Sequence, residues 1–68
     1  SMFSDRRLKR DAYRVGELPS GIPVYMFRYL GFEDWHVGCM ADEVMGVIPE
    51  AVAEHESGYL MVDYSRLH

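Results

Sequence analysis

A serine hydroxyl and a lysine amine lie five residues apart near the start of the chain, in the stretch SDRRLK at residues 4–9. Ser4 and Lys9 form the kind of pair that serves as nucleophile and general base, with the amine accepting the hydroxyl proton. This chemistry requires the two groups within hydrogen-bond reach and a lysine that loses its charge near neutral pH. Burial or nearby cations lower a lysine pKa, and Arg6, Arg7 and Arg10 are candidates for those cations.

The spacing alone does not establish such a site. Residues i and i+5 share no face of a helix and lie on opposite sides of a strand, so Ser4 and Lys9 meet only across a bend or between chains. The alternative interpretation is structural. Ser4 and Asp5 would cap a first turn or begin a strand, followed by a solvated basic run.

The elements that must position this stretch belong to one small domain of 68 residues. A chain of this length buries only about 60% of its unfolded surface, so its core is marginal. The single cysteine, Cys39, excludes an internal disulfide, and the three histidines lack the spacing of a metal finger. Oligomerisation is the remaining common source of stability, and we expect it here over a tightly packed monomer. The sequence predicts no cofactor.

The charge is unevenly distributed. Five Lys and Arg residues lie within the first fourteen positions, whereas residues 31–57 contain seven Asp and Glu and no Lys or Arg. A basic arm can indicate nucleic-acid binding, but the acidic remainder disfavours a polyanionic partner. We expect the arm to pack on an acidic surface of its own or a neighbouring chain. The chain has no apolar run long enough to span a membrane and no signal peptide.

Two strands joined by a tight turn are expected in the first half of the chain. Residues 7–18 fit either a helix or a strand, because their apolar residues recur at the spacings of three and four that suit a helix. The Pro-Ser-Gly turn that follows favours a strand and hence a hairpin. Residues 22–30 alternate with period two and are rich in strand formers. Pro23 belongs at a strand start or an edge. The aromatic row Tyr25, Phe27 and Tyr29 indicates core or subunit interface rather than a ligand platform.

The second half is expected to fold as strand, helix and strand. Residues 35–40 predict a short strand in which Gly38 permits close backbone approach. A helix follows from about residue 41 to 47, with Val44, Val47 and Ile48 on its buried face. Residues 51–52 would form a helical appendix, 54–58 a turn, 59–64 a last strand, and 65–68 the start of another helix. The predicted fold class is α+β, a small antiparallel sheet with one packed helix.

Five ordered blocks of the chain resemble the S74 peptidase family, also called the intramolecular chaperone of endosialidase. They are SDRRLK at 4–9, GIPVYMFRY at 21–29, VGCMADEV at 37–44, IPEAV at 48–52 and GYLMVDYSRL at 58–67. Each block is degenerate, but their order and spacing together are specific. The resemblance implies a domain at residues 4–68, with residues 1–3 as a cloning remnant or upstream stub. Because family members often continue beyond the last block into long helices, the domain is expected to be truncated at these C-terminal helices.

The resemblance also implies a function. Family members lie at the C-terminus of phage tail spikes and fibres, assemble as homotrimers, help the upstream region to trimerise and then cut themselves off at the serine. Carried to this chain, Ser4 would be the nucleophile and Lys9 the base, with Asp5 and Arg7 orienting the segment or binding the oxyanion. The implied partners are other copies of the chain and its own upstream fibre or spike domain. No nucleic acid, membrane or small-molecule substrate is implied.

The implied location is the tail of a phage virion assembled in the host cytoplasm, with a prophage-encoded protein as a variant. The side of Ser4 on which the chain is cut stays open. A non-cleaving trimeric cap with the same fold is the alternative function. The two functions are distinguished by whether the Ser4 and Lys9 side chains approach each other in the assembly.

Five other residues are considered as site candidates. His36 and His55 have the side chain of a general base, but no second nucleophile stands near them in the sequence, so surface or interface roles are favoured. Cys39 lies in an apolar strand and is expected to be buried and inert rather than a low-pKa thiol. The Asp63-Tyr64 pair is expected to make a structural hydrogen bond.

Overall fold

The computed structural model describes residues 1–67. Its strands are β1 (Met2–Phe3), β2 (Lys9–Glu17), β3 (Pro23–Tyr29), β4 (Trp35–Gly38), β5 (Val52–Glu54) and β6 (Leu60–Val62), and its α-helix is α1 (Ala41–Met45). Three short 3-10 turns cover Arg6–Leu8, Pro49–Ala51 and Tyr64–Arg66. The strands form two three-stranded antiparallel sheets, with orders β2-β3-β4 and β1-β6-β5.

The larger sheet contains the predicted hairpin, which is confirmed. β2 pairs with β3 from Lys9 opposite Tyr29 to Glu17 opposite Pro23, and Gly21 takes a φ of 89° in the connecting turn. Pro23 begins β3, as expected for a residue that has no N–H to donate. The β2 edge is interrupted by two register shifts, and Asp11 adopts a φ of 56° at the first. Such irregularities protect an exposed edge strand from further pairing.

The second sheet corrects the expectation of a single sheet. Residues 51–52 were expected as a helical appendix, but the 3-10 turn ends at Ala51 and Val52 begins β5, pairing with Val62 of β6. β1 pairs with the other side of β6, Met2 opposite Val62 and Phe3 opposite Met61. The separation follows because the chain leaves the larger sheet after β4 and enters α1, so that the closing strand β6 pairs with the two short strands β1 and β5.

The helix α1 packs against β5 and β6 of the smaller sheet and is two residues shorter than expected. Gly46 is its C-cap, and both Val47 and Ile48 donate their amides back to the Val44 carbonyl. Val44 is fully buried, but Val47 is 52% exposed, so its predicted place on the buried face was wrong. The core around the helix comprises Ile22, Cys39, Ala41, Val44, Ala51 and Val62.

The basic arm pairs with acidic residues of its own chain. Arg6 lies 3.1 Å from a carboxylate oxygen of Asp42 in the first turn of α1, and Arg10 lies 3.0 Å from Glu33. These contacts agree with the expected packing of the arm on an acidic surface. Within residues 1–67 no helix is long and apolar enough to cross a membrane. Of the helix predicted to begin at residues 65–68, Ser65 and Arg66 lie in the 3-10 turn Tyr64–Arg66, and His68 lies outside the described residues.

Candidate active site

Ser4 lies between β1 and the first 3-10 turn, where both of its peptide groups are held. Its amide donates to the Leu60 carbonyl at 3.1 Å, and its carbonyl accepts from the Ala41 amide at 2.9 Å. The residue is 1% exposed, which is unusual for serine. The backbone therefore fixes this hydroxyl inside the molecule, between β6 and the start of α1.

The Ser4 hydroxyl contacts the phenol of Tyr64 at 2.6 Å. The Tyr64 oxygen also accepts from the Cys39 amide at 3.0 Å and lies 3.4 Å from the Cys39 carbonyl oxygen. Gly38 makes this arrangement possible, because a Cβ at that position would lie 2.7 Å from the phenol oxygen. The predicted close approach at Gly38 is thus confirmed, and the group that approaches is a side chain from the end of the described chain.

Lys9 begins β2 and directs its amine to the same place. Nζ donates to the Cys39 carbonyl at 2.6 Å and lies 4.2 Å from the centroid of the Phe27 ring. Burial lowers the pKa of Lys9 from 10.5 to about 8, and the Arg6 guanidinium acts in the same direction. A lysine in this environment is neutral far more often at pH 7 than an exposed one.

Ser4 and Lys9 are thus linked indirectly, because Lys9 donates to the Cys39 carbonyl and Ser4 contacts Tyr64, whose hydroxyl also reaches that carbonyl. Among residues 1–67, Ser4 Oγ has one side-chain hydrogen bond, to Tyr64, and Lys9 Nζ has one, to the Cys39 oxygen. The Cys39 carbonyl is the shared point, since the Tyr64 hydroxyl also reaches it. A neutral Lys9 would still donate one N–H to that carbonyl and present its lone pair elsewhere.

Asp5 and Arg7 pair with each other and with the segment that enters β6. The Asp5 carboxylate accepts from the backbone and guanidinium of Arg7 and from the Leu60 amide, and Arg7 also donates to the Gly58 carbonyl. The hydrogen bonds from Arg7 hold the pKa of Asp5 far below its ordinary value. Asp5 is 4% exposed, so this buried ion tethers the Ser4 segment to β6.

The carbonyl before Ser4 has a partner that was not among the predicted site residues. Tyr29, at the end of β3, donates its hydroxyl to the Phe3 oxygen at 2.6 Å. The sequence predicts a core or interface position for Tyr29 and a structural hydrogen bond for Tyr64. The sequence feature that could have identified these two tyrosines is their place in the family-like blocks at residues 21–29 and 58–67. Their contacts with residues 3 and 4 depend on the fold, since 26 and 60 positions separate the partners.

His36, His55 and Cys39 have contacts that indicate structural roles. The His36 ring packs against Phe27 and Tyr29 at 5.9 and 4.9 Å, and the Nδ1 atom of His55 contacts the Ser57 hydroxyl at 2.8 Å. Cys39 is 2% exposed, and burial raises the pKa of its thiol, which confirms the expected buried and inert side chain. Residues 1–67 contain no cluster of three or more His, Cys, Asp or Glu side chains suited to a metal ion.

The arrangement has the parts of an acyl-transfer site. The buried Ser4 hydroxyl lies beside the Phe3 carbonyl, which accepts a short hydrogen bond from Tyr29. Lys9, whose pKa is lowered, donates to the Cys39 oxygen, which the Tyr64 hydroxyl also contacts. Tyr64 in turn contacts the Ser4 hydroxyl. Nucleophile, candidate base and polarised carbonyl all belong to one chain. The site therefore suits an intramolecular reaction, in which positioning replaces the binding of a separate substrate.

Comparison with known families gives one finding. The family model Peptidase S74, described as chaperone of endosialidase, matches residues 4–53. The matched region includes Ser4, Lys9 and Tyr29, whereas Tyr64 lies beyond it. No curated protein and no solved structure gives a match.

Proposed function

Since this chain belongs to the peptidase S74 family, the chaperones of endosialidase, we propose that it promotes trimerisation of its own upstream region and then releases it by cutting at Ser4. The family resemblance found in the sequence is confirmed by the match, and family membership relates the domain to serine peptidases that cleave themselves. The observation that supports cleavage is the buried Ser4 hydroxyl, 2.6 Å from Tyr64, with the amine of Lys9 on the carbonyl that Tyr64 also contacts.

The first step is an acyl shift. Ser4 Oγ attacks the carbonyl carbon next to it, most simply that of Phe3, and its proton passes to the neutral amine of Lys9. Since the two side chains make no hydrogen bond to each other within residues 1–67, the proposal requires that assembly bring Nζ within reach of Oγ. The resulting tetrahedral oxyanion collapses with rupture of the Phe3–Ser4 C–N bond. The proton held by Lys9 ends on the Ser4 nitrogen, so that an ester and a free amine replace the amide.

Hydrolysis completes the single turnover. Water attacks the ester carbon, the Ser4 oxygen leaves as a hydroxyl, and residues 1–3 end in a carboxylate. The sum is one peptide bond and one water converted into two chain ends. In this scheme Tyr64 positions the nucleophile, and Asp5 with Arg7 holds the segment in register with β6.

The proposed biological setting is a phage tail fibre or spike, with the domain at its C-terminal end. Trimerisation would bring three upstream chains into register, and cleavage would then remove the chaperone from the assembled virion protein. Coupling between the two steps follows if a neighbouring protomer completes the surroundings of Lys9. The partners in this proposal are identical chains and the upstream domain.

The decisive experiment is intact-mass analysis of the domain carrying its upstream segment, beside Ser4→Ala and Lys9→Ala variants. We expect the unsubstituted chain to split at Ser4 and both variants to stay whole, because each lacks one partner of the reaction. Ser57→Ala is the matched control, since Ser57 is an exposed serine in the turn before β6 whose hydroxyl contacts His55 Nδ1 and accepts from the Tyr59 amide.

The opposite result has a definite meaning. If the unsubstituted chain and all variants stay whole while sedimentation shows trimers, the domain is a trimeric cap that does not cleave. If the chain neither splits nor self-associates, the chaperone proposal is overturned as well.

A further inference from the structure

The Phe3 carbonyl is held by a side chain from the other sheet. Phe3 lies in β1 opposite Met61, yet its oxygen accepts from the phenol of Tyr29 at 2.6 Å. On the other side of the same peptide bond, the Ser4 N–H donates to the Leu60 carbonyl at 3.1 Å. The peptide between Phe3 and Ser4 is thus fixed at both its oxygen and its nitrogen.

The Tyr29 ring is itself held in place. It packs edge-on against Phe27 at 5.1 Å and against His36 at 4.9 Å, on the face of the β2–β4 sheet that carries Lys9. Burial, together with the nearby Tyr64, raises the pKa of the Tyr29 phenol. The phenol therefore keeps its proton at a pH where Lys9, whose pKa is about 8, has become a free amine.

We propose that Tyr29 is a catalytic residue that donates a hydrogen bond to the oxyanion formed on the Phe3 oxygen, and so directs cleavage to the Phe3–Ser4 bond. This inference rests on the proposed self-cleavage at Ser4. When Oγ attacks, the C=O double bond becomes a C–O single bond and the negative charge develops on the atom that Tyr29 already contacts. A donor aimed at that atom needs no reorganisation as the charge forms.

Ring size supports the same bond. Attack of Ser4 Oγ on the Phe3 carbon closes a five-membered ring through the Ser4 nitrogen, whereas attack on the carbonyl carbon of Ser4 itself would close a strained four-membered ring. The Ser4 carbonyl oxygen instead accepts from the Ala41 backbone amide at 2.9 Å, and this contact anchors the segment to α1. Geometry and chemistry thus both place the cut before Ser4.

The first test measures cleavage of Tyr29→Phe, which removes the hydroxyl and keeps the ring. Loss of one oxyanion donor slows such reactions by about 10²–10³-fold, and we expect a loss in that range, with the residual product still ending at Phe3. Tyr25→Phe is the matched control, because Tyr25 lies on the same strand and the same face but directs its hydroxyl to Glu43 at 3.2 Å. It should cleave at the unsubstituted rate.

A second measurement does not depend on activity. A synthetic Ser4→Ala chain with ¹³C at the Phe3 carbonyl isolates the vibration of that group in the uncleaved protein. Removing the hydroxyl with Tyr29→Phe should shift this band to higher frequency, as expected on loss of a hydrogen bond, while Tyr25→Phe should leave it unchanged. Thermal unfolding of the same samples checks that the fold is retained.

The outcomes separate the two proposals. Cleavage that needs Ser4 and Lys9 but proceeds at full rate in Tyr29→Phe overturns the role of Tyr29 alone. An unchanged carbonyl band in Tyr29→Phe, or a product that ends at Ser4, does the same. Absence of cleavage in the unsubstituted chain overturns self-cleavage, and the catalytic role of Tyr29 with it.

Discussion

The ionisation of one lysine controls the proposed reaction at the scale of single residues. With a pKa of about 8, roughly a tenth of Lys9 is neutral at pH 7, compared with well under a thousandth for an ordinary lysine. Burial next to the Phe27 ring therefore increases the free-base population by about two orders of magnitude. The interior position of Lys9 is what makes base catalysis by an amine plausible at neutral pH.

We predict that the cleavage rate rises with pH and levels off above about pH 8, where Lys9 has lost its proton. The sign follows from the role, since only the neutral amine accepts the Ser4 proton. Below that value the rate should fall about tenfold per pH unit. Uncleaved chain unfolded in urea, refolded into buffers of different pH and sampled by intact mass provides the measurement.

Lys9→Arg is the informative variant for this profile. The guanidinium keeps the positive charge and the ability to donate to the Cys39 carbonyl, but it does not lose its proton in this range. Cleavage should be lost at every pH. A pH-independent rate in the unsubstituted chain, or cleavage by Lys9→Arg, would show that Lys9 is not the base.

At the scale of elements, the site depends on how closely the end of β4 approaches the 3-10 turn Tyr64–Arg66. Gly38 closes that distance, because its missing side chain leaves room for the Tyr64 phenol between the Ser4 hydroxyl and the Cys39 backbone. The strand β4 belongs to the larger sheet, whereas the turn follows β6 of the smaller sheet. The nucleophile is therefore aligned only when both sheets have docked.

We predict that Gly38→Ala slows cleavage at least tenfold and destabilises the fold by about 1–3 kcal/mol, because the new methyl would sit 2.7 Å from the phenol oxygen. The rate of cleavage after refolding measures the first effect, and urea unfolding measures the second. The same substitution at Gly46 is the control. That residue has a helical φ of −72°, and the nearest atom is 3.6 Å away, so Gly46→Ala should be neutral or slightly stabilising.

Cleavage at the normal rate in Gly38→Ala would mean that the contact between Tyr64 and Ser4 is dispensable. Strong destabilisation by Gly46→Ala would mean that alanine is poorly tolerated near α1 in general, and the result at Gly38 would lose its specific meaning.

The parts of the fold that the sequence predicts are those with a local cause. The β2–β3 hairpin follows from a period-two pattern and a Pro-Ser-Gly turn, both readable within twenty residues. β1 and β5 are only two and three residues long, too short to show a period. They are strands because β6 offers both its edges, which is a property of the tertiary fold.

The same distinction applies to the site. Ser4 and Lys9 are recognisable because their types and spacing match a known chemistry. The contacts of Tyr29 with residue 3 and of Tyr64 with residue 4 arise from the docking of the two sheets. From the sequence alone, Tyr29 is expected in the core or a subunit interface, and Tyr64 belongs to a pair expected to make a structural hydrogen bond. Their hydroxyl groups can be assigned to the site only from the folded structure, in which they contact residues 3 and 4.

On the scale of the whole molecule, the chain leaves an apolar face uncovered. Tyr13 lies opposite Met26, which lies opposite Val37, and the Tyr13 and Trp35 rings meet at 6.0 Å. These four side chains form an outer patch on the face of the β2–β4 sheet that points away from Lys9. Tyr13, Trp35 and Val37 are 53, 43 and 62% exposed. A patch of this kind on a small domain is typical of a protein interface.

We predict that the outer patch forms the contact between protomers, so that Val37→Asp converts trimers into monomers. Burying an unpaired carboxylate at each contact costs several kcal/mol, and even about 3 kcal/mol lowers an association constant by roughly a hundredfold. Val47→Asp is the matched control, because Val47 is similarly exposed, at 52%, but follows α1 outside this sheet. Sedimentation velocity over a range of concentrations measures the assembly.

Cleavage measured in the same samples tests whether assembly and chemistry are coupled. If a neighbouring protomer completes the surroundings of Lys9, Val37→Asp should lose cleavage together with trimerisation, although Val37 contacts none of the reacting groups. Cleavage at the normal rate in a monomeric Val37→Asp would show that the site is complete within one chain. Trimers that persist in Val37→Asp and dissociate in Val47→Asp would instead place the interface beside α1, and the prediction for the outer patch would be wrong.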